Sequence, residues 1–175
     1  MADVVDTVPP AIDQKGNTVI WWVPTLADPA APKVATEIGA ATAFRVTHSF
    51  TTDGWTLTGS QATTVDDRLA LESPLESLDT LTNTFGSGVR YVDSAAVGSA
   101  AVVLKPTAPA TTKAGFFVVR RNVANAVLAT VAQKVRVIPV TLGPQIPGPI
   151  NGTGKFDFTQ QVAISGQIVE GVLAA

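Results

Sequence analysis

Gly115-Phe116-Phe117-Val118-Val119-Arg120-Arg121, Lys134-Val135-Arg136-Val137-Ile138-Pro139-Val140 and Lys155-Phe156-Asp157-Phe158-Thr159-Gln160-Gln161-Val162-Ala163-Ile164 decide the fold. Each is rich in β-branched and aromatic residues and is bounded by a turn-rich segment, which suits a pleated surface. They predict an antiparallel meander, and Ile168 to Leu173 adds a last strand after Gly166. Pro139 lacks a ladder donor, so its strand is expected at a sheet edge or with a bulge. An edge is also where another subunit could add a strand. Gly143 to Gly154 holds three prolines and four glycines and reads as a mobile or recognition loop.

Working toward the N-terminus, Val19-Ile20-Trp21-Trp22-Val23 is a strand that stops at Pro24. Adjacent tryptophans project to opposite faces. The strand is therefore buried on both sides, the favoured reading, or offers one indole to another subunit. Pro24 to Ala43 reads as a surface loop. Phe44, Val46, His48 and Phe50 then share one face of a half-buried strand, and Asp53-Gly54 predicts a tight turn back into Trp55-Thr56-Leu57-Thr58. On that strand His48 is a core or interface histidine before it is a ligand. Residues 61–87 are acidic and interrupted by Pro74, which predicts a long excursion with one helical turn. Asp93 to Leu104 suits a short helix capped by Asp93 or Ser94, although Val102-Val103-Leu104 fits a strand equally well. The first sixteen residues read as an extended arm.

The 175 residues and 18.1 kDa fit one domain with a real core. Hydrophobic residues are 46% and mean hydropathy is +0.29, so a disordered acidic chain is excluded, and no apolar run approaches the roughly 18 residues of a membrane span. Charged residues are only 15%, against about 25% in ordinary soluble domains, and the net charge is −2. Such a weakly charged surface favours association, which suggests a subunit of something larger. Residues 1–100 carry 12 of the 14 acids and 5 of the 12 bases. Either the fold turns this asymmetry into complementary faces that attract a neighbour head to tail, or the two halves intermix and neutralise locally. Met1 to Pro10 is acidic and shows no secretory signal, so synthesis in the cytoplasm is expected, and Asn151-Gly152-Thr153 is an accidental glycosylation match.

Chemistry finds little footing. The absence of cysteine excludes disulfides, thiolate metal sites and thiol nucleophiles, and one histidine is too few for an ordinary zinc centre. Gly148 to Phe156 departs from a phosphate-binding loop, because Pro149 displaces the first glycine and Phe156 replaces the magnesium-binding hydroxyl. Asp66, Asp67, Glu72, Glu76 and Asp79 read as a solvated acidic face before a hydrolase pair. His48 lacks a nucleophile elbow, and Arg120, Arg121, Lys134 and Arg136 are too sparse for a nucleic-acid groove. No catalytic, cofactor-binding or metal-ligating residue is expected, and no cofactor.

Trp21-Trp22-Val23-Pro24-Thr25, Ala35-Thr36-Glu37-Ile38, Gly115 to Arg121, Val135 to Gly143 and Phe156 to Gly166 follow one another in an order, spacing and total length that carry a resemblance. Over nearly its whole length the chain resembles the major tail protein, or tail tube protein, of long-tailed bacteriophages, particularly those infecting actinobacteria. The resemblance implies a mainly β fold, an antiparallel β-sandwich or barrel-like tail tube domain at 17–175 with one short flanking α-helix and long loops, preceded by the arm at 1–16. It implies a structural virion protein, not an enzyme, that self-assembles into stacked hexameric rings conducting double-stranded DNA without binding it specifically. Its partners would be copies of itself, the tape measure protein and the tail terminator and tip proteins, with no membrane. Assembly would occur in the host bacterial cytoplasm. The lumen would be neutral or negative, because a lysine-rich wall traps phosphate. The alternatives are a head-tail connector or capsid decoration protein, then a carbohydrate-binding β-sandwich exposing Trp21, Trp22 or Trp55, and last an enzyme dependent on His48.

Overall fold

The computed structural model describes residues 11–66, 68, 73, 75–108, 111–150 and 154–175. Its strands are β1 (Thr18–Val23), β2 (Phe44–Arg45), β3 (Phe50–Asp66), β4 (Leu75–Val92), β5 (Lys113–Arg121), β6 (Lys134–Pro147), β7 (Asp157–Ile164) and β8 (Val169–Val172). They form one antiparallel sheet in the order β2-β1-β5-β6-β7-β4-β3, with β8 also paired to β6. The predicted meander is β5-β6-β7, with Val118 opposite Val137 and Leu142 opposite Val162.

Period-two alternation sends the side chains of β1, β5 and β6 into two cores. Trp22, Phe117, Val119, Ile138, Val140 and Leu142 enter one, whereas Trp21, Val118, Val135 and Val137 enter the other with Leu26, Ile38 and Leu173. Both tryptophans of β1 are therefore core residues. The sheet coils so that the roots of β3 and β4 lie over the first core: Trp55 stands edge-on to Phe117 at 5.1 Å and to Phe85 at 5.0 Å. Gly115 is required there, since a Cβ would collide with the Trp22 indole. The second core is closed by the 24–43 segment, which contains a π-helical turn at Val34–Ile38 and is stitched to the C-terminus by Val34 N to Ala174 O (3.0 Å) and Ala174 N to Pro32 O (2.9 Å).

Several expectations are corrected. Phe44 to Phe50 is not one strand: two residues pair as β2, Thr47–Ser49 form a 3-10 turn, and Phe50 opens β3. Asp53-Gly54 is not a hairpin turn but part of an irregular stretch of β3, where Gly54 lies against the Arg90 carbonyl. Of the excursion at 61–87, the residues in strands are the distal part of β3 and most of β4, paired from Gln61–Leu81 to Asp66–Leu75, while 67, 69–72 and 74, on which the expected helical turn partly falls, lie outside the described residues. The helix α1 spans only Ala100–Val103 and is capped by Ser99, whose side chain accepts from Val102 N, not by Asp93 or Ser94. Pro139 is in an interior strand. Its carbonyl accepts from Ser165 N at 3.0 Å, so its missing donor faces the gap between the Val137–Val169 and Val140–Ile164 pairs, where no ladder acceptor is lost. Much of the expected loop at Gly143 to Gly154 continues β6 as far as Pro147. Of the arm expected at 1–16, residues 1–10 lie outside the described residues. Around residue 16 the chain turns, with Asn125 N donating to Gly16 O at 2.7 Å.

Candidate assembly surface

β3 and β4 are far longer than the body needs. Below about Gly59 they are held by β7 and the aromatic core, through Val89–Gln160 and Tyr91–Phe158. Beyond it they pair only with each other and form an arm whose two outer backbone edges have no ladder partner among the described residues. Unpaired edges invite another strand, and a two-stranded ribbon alone in water is marginal.

The arm's two faces differ. Leu57, Gly59, Gln61, Thr63 and Val65 share a face with Phe85, Asn83, Leu81, Leu78 and Glu76, because Asp79 and Thr80 together oppose Ala62 in a bulge that shifts the alternation. This face continues from the aromatic core, yet Val65, Leu78 and Leu81 are 53, 74 and 60% exposed. The other face presents Thr58, Ser60, Ala62, Thr64, Thr82 and Thr84. It runs on across Arg90 and Thr159, and Arg90 is matched there by Asp157 at 2.5 Å. The result is a wide hydroxyl-bearing surface whose central cation is neutralised.

A basic cluster stands at the arm root. Arg121 continues the row of Phe117 and Val119, and Lys134 and Arg136 continue the row of Ile138. Arg121 and Arg136 line one cleft with Trp55, Leu57, Gly59 and Asn83. Arg120, grouped with them in the sequence, is elsewhere: it is fully buried, stacked on Trp21 at 5.4 Å. Its guanidinium donates to the carbonyls of Val127 (2.8 Å), Leu128 (3.1 Å) and Ala124 (3.3 Å) and to Gln133 Oε1 (2.8 Å). Burial, with Arg45 nearby, pulls its pKa down. Arg120 thus shapes the 122–133 loop, which displays Val127, Leu128 and Val131 to solvent.

Behind the arm root a buried polar lock fixes the body. Gln160 Oε1 accepts from the Tyr91 hydroxyl at 2.8 Å, while Gln160 Nε2 donates to the carbonyls of Gly143 (2.6 Å) and Leu104 (3.1 Å). Gln145 Nε2 donates to Tyr91 Oη (2.8 Å) and to Ala101 O (2.9 Å). Burial drives the Tyr91 phenol well above its ordinary pKa, against the opposing effect of the Gln145 bond. Lys113 extends the lock by donating to Val103 O at 2.5 Å and Lys105 O at 3.3 Å, and burial lowers its pKa.

The residues considered for chemistry are scattered. His48 is exposed in the 3-10 turn, its Nε2 3.4 Å from Asn125 Nδ2, so the expected packing among apolar strand neighbours does not occur. Asp66 pairs with Arg68 at 2.5 Å at the arm's end, near Glu76 and Asp79, while Asp67 and Glu72 lie outside the described residues. No three His, Asp or Glu side chains among the described residues are grouped to hold a metal. Asn151 to Thr153 of the loop-like stretch also lie outside them, and that stretch leads into β7. Trp21 and Trp22 are buried and Trp55 is half-buried against Phe50, Phe85 and Phe117, so none of the three tryptophans forms the exposed platform expected of a sugar-binding sandwich.

A long arm with two unpaired outer edges and exposed apolar residues fits a part made to be covered by others. The model of the phage tail tube protein family matches residues 5–175. The chain belongs to the phage tail tube protein family. Comparison with curated proteins and with solved structures gives no match. Membership makes this a structural component of the virion tail, assembled as a tube with other tail proteins. No helix among the described residues is long and apolar enough to cross a membrane. In tail tube terms, sequence reasoning missed the arm and the Gln160 lock. The available signal for the lock was a glutamine sharing the strand face of Phe158 and Val162.

Proposed function

We propose that copies of this chain close into hexameric rings, that the rings stack into the tail tube, and that the genome passes through the lumen without specific contact. The observation that supports this most is the β3–β4 arm, with two free edges and apolar side chains that its own body does not cover. Heterologous contacts that close make rings, and a barrel shared between subunits consumes edges that would otherwise promote aggregation. The hydroxyl face of β3, β4 and β7 supplies a suitable channel wall. Thr58, Ser60, Thr82, Thr84 and Thr159 hold no phosphate, and Asp157 cancels Arg90. Residues 1–16, as an arm outside the single β domain at 17–175, and the 24–43 segment are the stacking elements. The tape measure protein would occupy the lumen before DNA, terminator and tip proteins would close the ends, and assembly would take place in the host cytoplasm. No catalysis is needed for any of these steps.

Negative-stain imaging of the purified chain tests the reading. Long hollow filaments with six-fold end views are expected. Single rings, trimers or a persistent monomer would overturn it, and so would a map whose channel wall is strongly positive.

A further inference from the structure

Resting on the tail tube reading, we propose that the acidic end of the β3–β4 arm of one copy docks on the basic cluster Arg121, Lys134 and Arg136 at the arm root of the next copy. The chain carries a charge surplus at each of these places. Among the described residues Arg121 and Lys134 make no ion pair, and Arg136 has only Glu170, at 2.5 Å. At the other end Glu76 and Asp79 make none, and Asp66 is matched by Arg68.

One arm cannot satisfy its own root. Gly59 lines the cleft with Arg121 and Arg136, whereas Glu76 pairs with Val65, six residues further along the same strand, and Asp79 stands opposite Ala62, three residues further. At about 3.3 Å per residue that is about 20 Å for Glu76 and about 10 Å for Asp79, against the roughly 8 Å over which salt leaves exposed charges coupled. Glu76 can therefore meet the cluster only between copies, and Asp79 makes no ion pair with it within one chain.

The apolar chemistry matches as well. The arm's end carries Val65 and Leu78 beside Glu76, and the receiving cleft carries Leu57 and Ile138 beside Arg121 and Arg136. An arm end meeting an arm root is a heterologous contact, so it leaves each copy with one donor end and one acceptor still to fill. That is the property a repeating tube requires. The opposite charges also orient the encounter and exclude arm-to-arm or root-to-root pairing.

Charge reversal decides it. Glu76→Lys with Asp79→Lys, and separately Arg121→Glu with Lys134→Glu, change exposed side chains, and unaltered melting by circular dichroism verifies the fold. Each double variant is expected to raise the critical concentration for filament formation at least tenfold, read by sedimentation and negative-stain imaging. The milder pair Glu76→Gln with Asp79→Asn should raise it less. Mixing the two reversed variants in equal amounts, or combining all four changes in one chain, is expected to bring it back to within threefold of the unaltered chain. Filaments of all variants at the unaltered concentration, or a combined variant as defective as its parents, would overturn the docking while leaving the tail tube reading intact. An unaltered chain that forms no filament overturns both.

Discussion

In the body, β1, β5 and β6 bury both faces: Trp22 meets Phe117 edge to face at 5.3 Å on one side, and Val118 and Val137 pack on the other. In the arm beyond Gly59, β3 and β4 bury neither, and Leu78 is 74% exposed. Both regions are paired strand to strand, although the arm's ladder is bulged and its outer edges are free, so pairing between neighbouring strands does not by itself separate them. Removal of apolar surface from water does, at about 25 cal/mol per Å². The body has gathered that stabilisation within one chain, and in the proposed tube the arm gathers it against another copy. Folding and assembly are thereby assigned to different residues.

Substitutions on the two sides of this division should separate cleanly. Phe117→Ala removes the ring that Trp22, Trp55, Phe50 and Phe85 all contact, and is expected to cost about 3–5 kcal/mol in denaturant unfolding. Gln160→Ala leaves Leu104 O, Gly143 O and the Tyr91 hydroxyl without their buried partner, and should cost about 2 kcal/mol, seen as a lowered unfolding midpoint. Leu81→Ser lies on the exposed arm face and should change monomer stability by no more than about 0.5 kcal/mol. The same change should reduce filament yield severely in sedimentation assays. If Leu81→Ser destabilised the monomer as much as Gln160→Ala, the arm would belong to the folding core and the division would fail.

The same division explains what could be read from the sequence. β1, β5, β6 and β7 are legible because burial imposes a pattern: Trp21-Trp22, Phe116 to Val119 and Val135, Val137 and Ile138 are apolar where a core waits. The arm imposes no such pattern. Its hydroxyl face tolerates Thr and Ser, and the bulge at Asp79 and Thr80 places Leu78 and Leu81 three apart on one face, a spacing that does not look like a strand. Asp53-Gly54 misleads for a related reason. The glycine is needed where the backbone crowds the Arg90 carbonyl, not to turn the chain, and the two uses look alike in sequence. The weak surface charge was legible as a sign of association, but the residues that express it were not. Arg120 reads as part of a basic patch until the structure buries it on Trp21 among carbonyls.

The central claim is that the arm assembles and the body folds. Replacing residues 60–82 by a two-residue Asn-Gly turn joining Gly59 to Asn83 tests it most directly, with filament formation imaged alongside thermal melting. The account predicts a shortened chain that melts within a few degrees of the full-length protein and stays monomeric at concentrations where the full-length chain forms tubes. Tubes formed by the shortened chain, or a body that no longer folds without the arm, would contradict it.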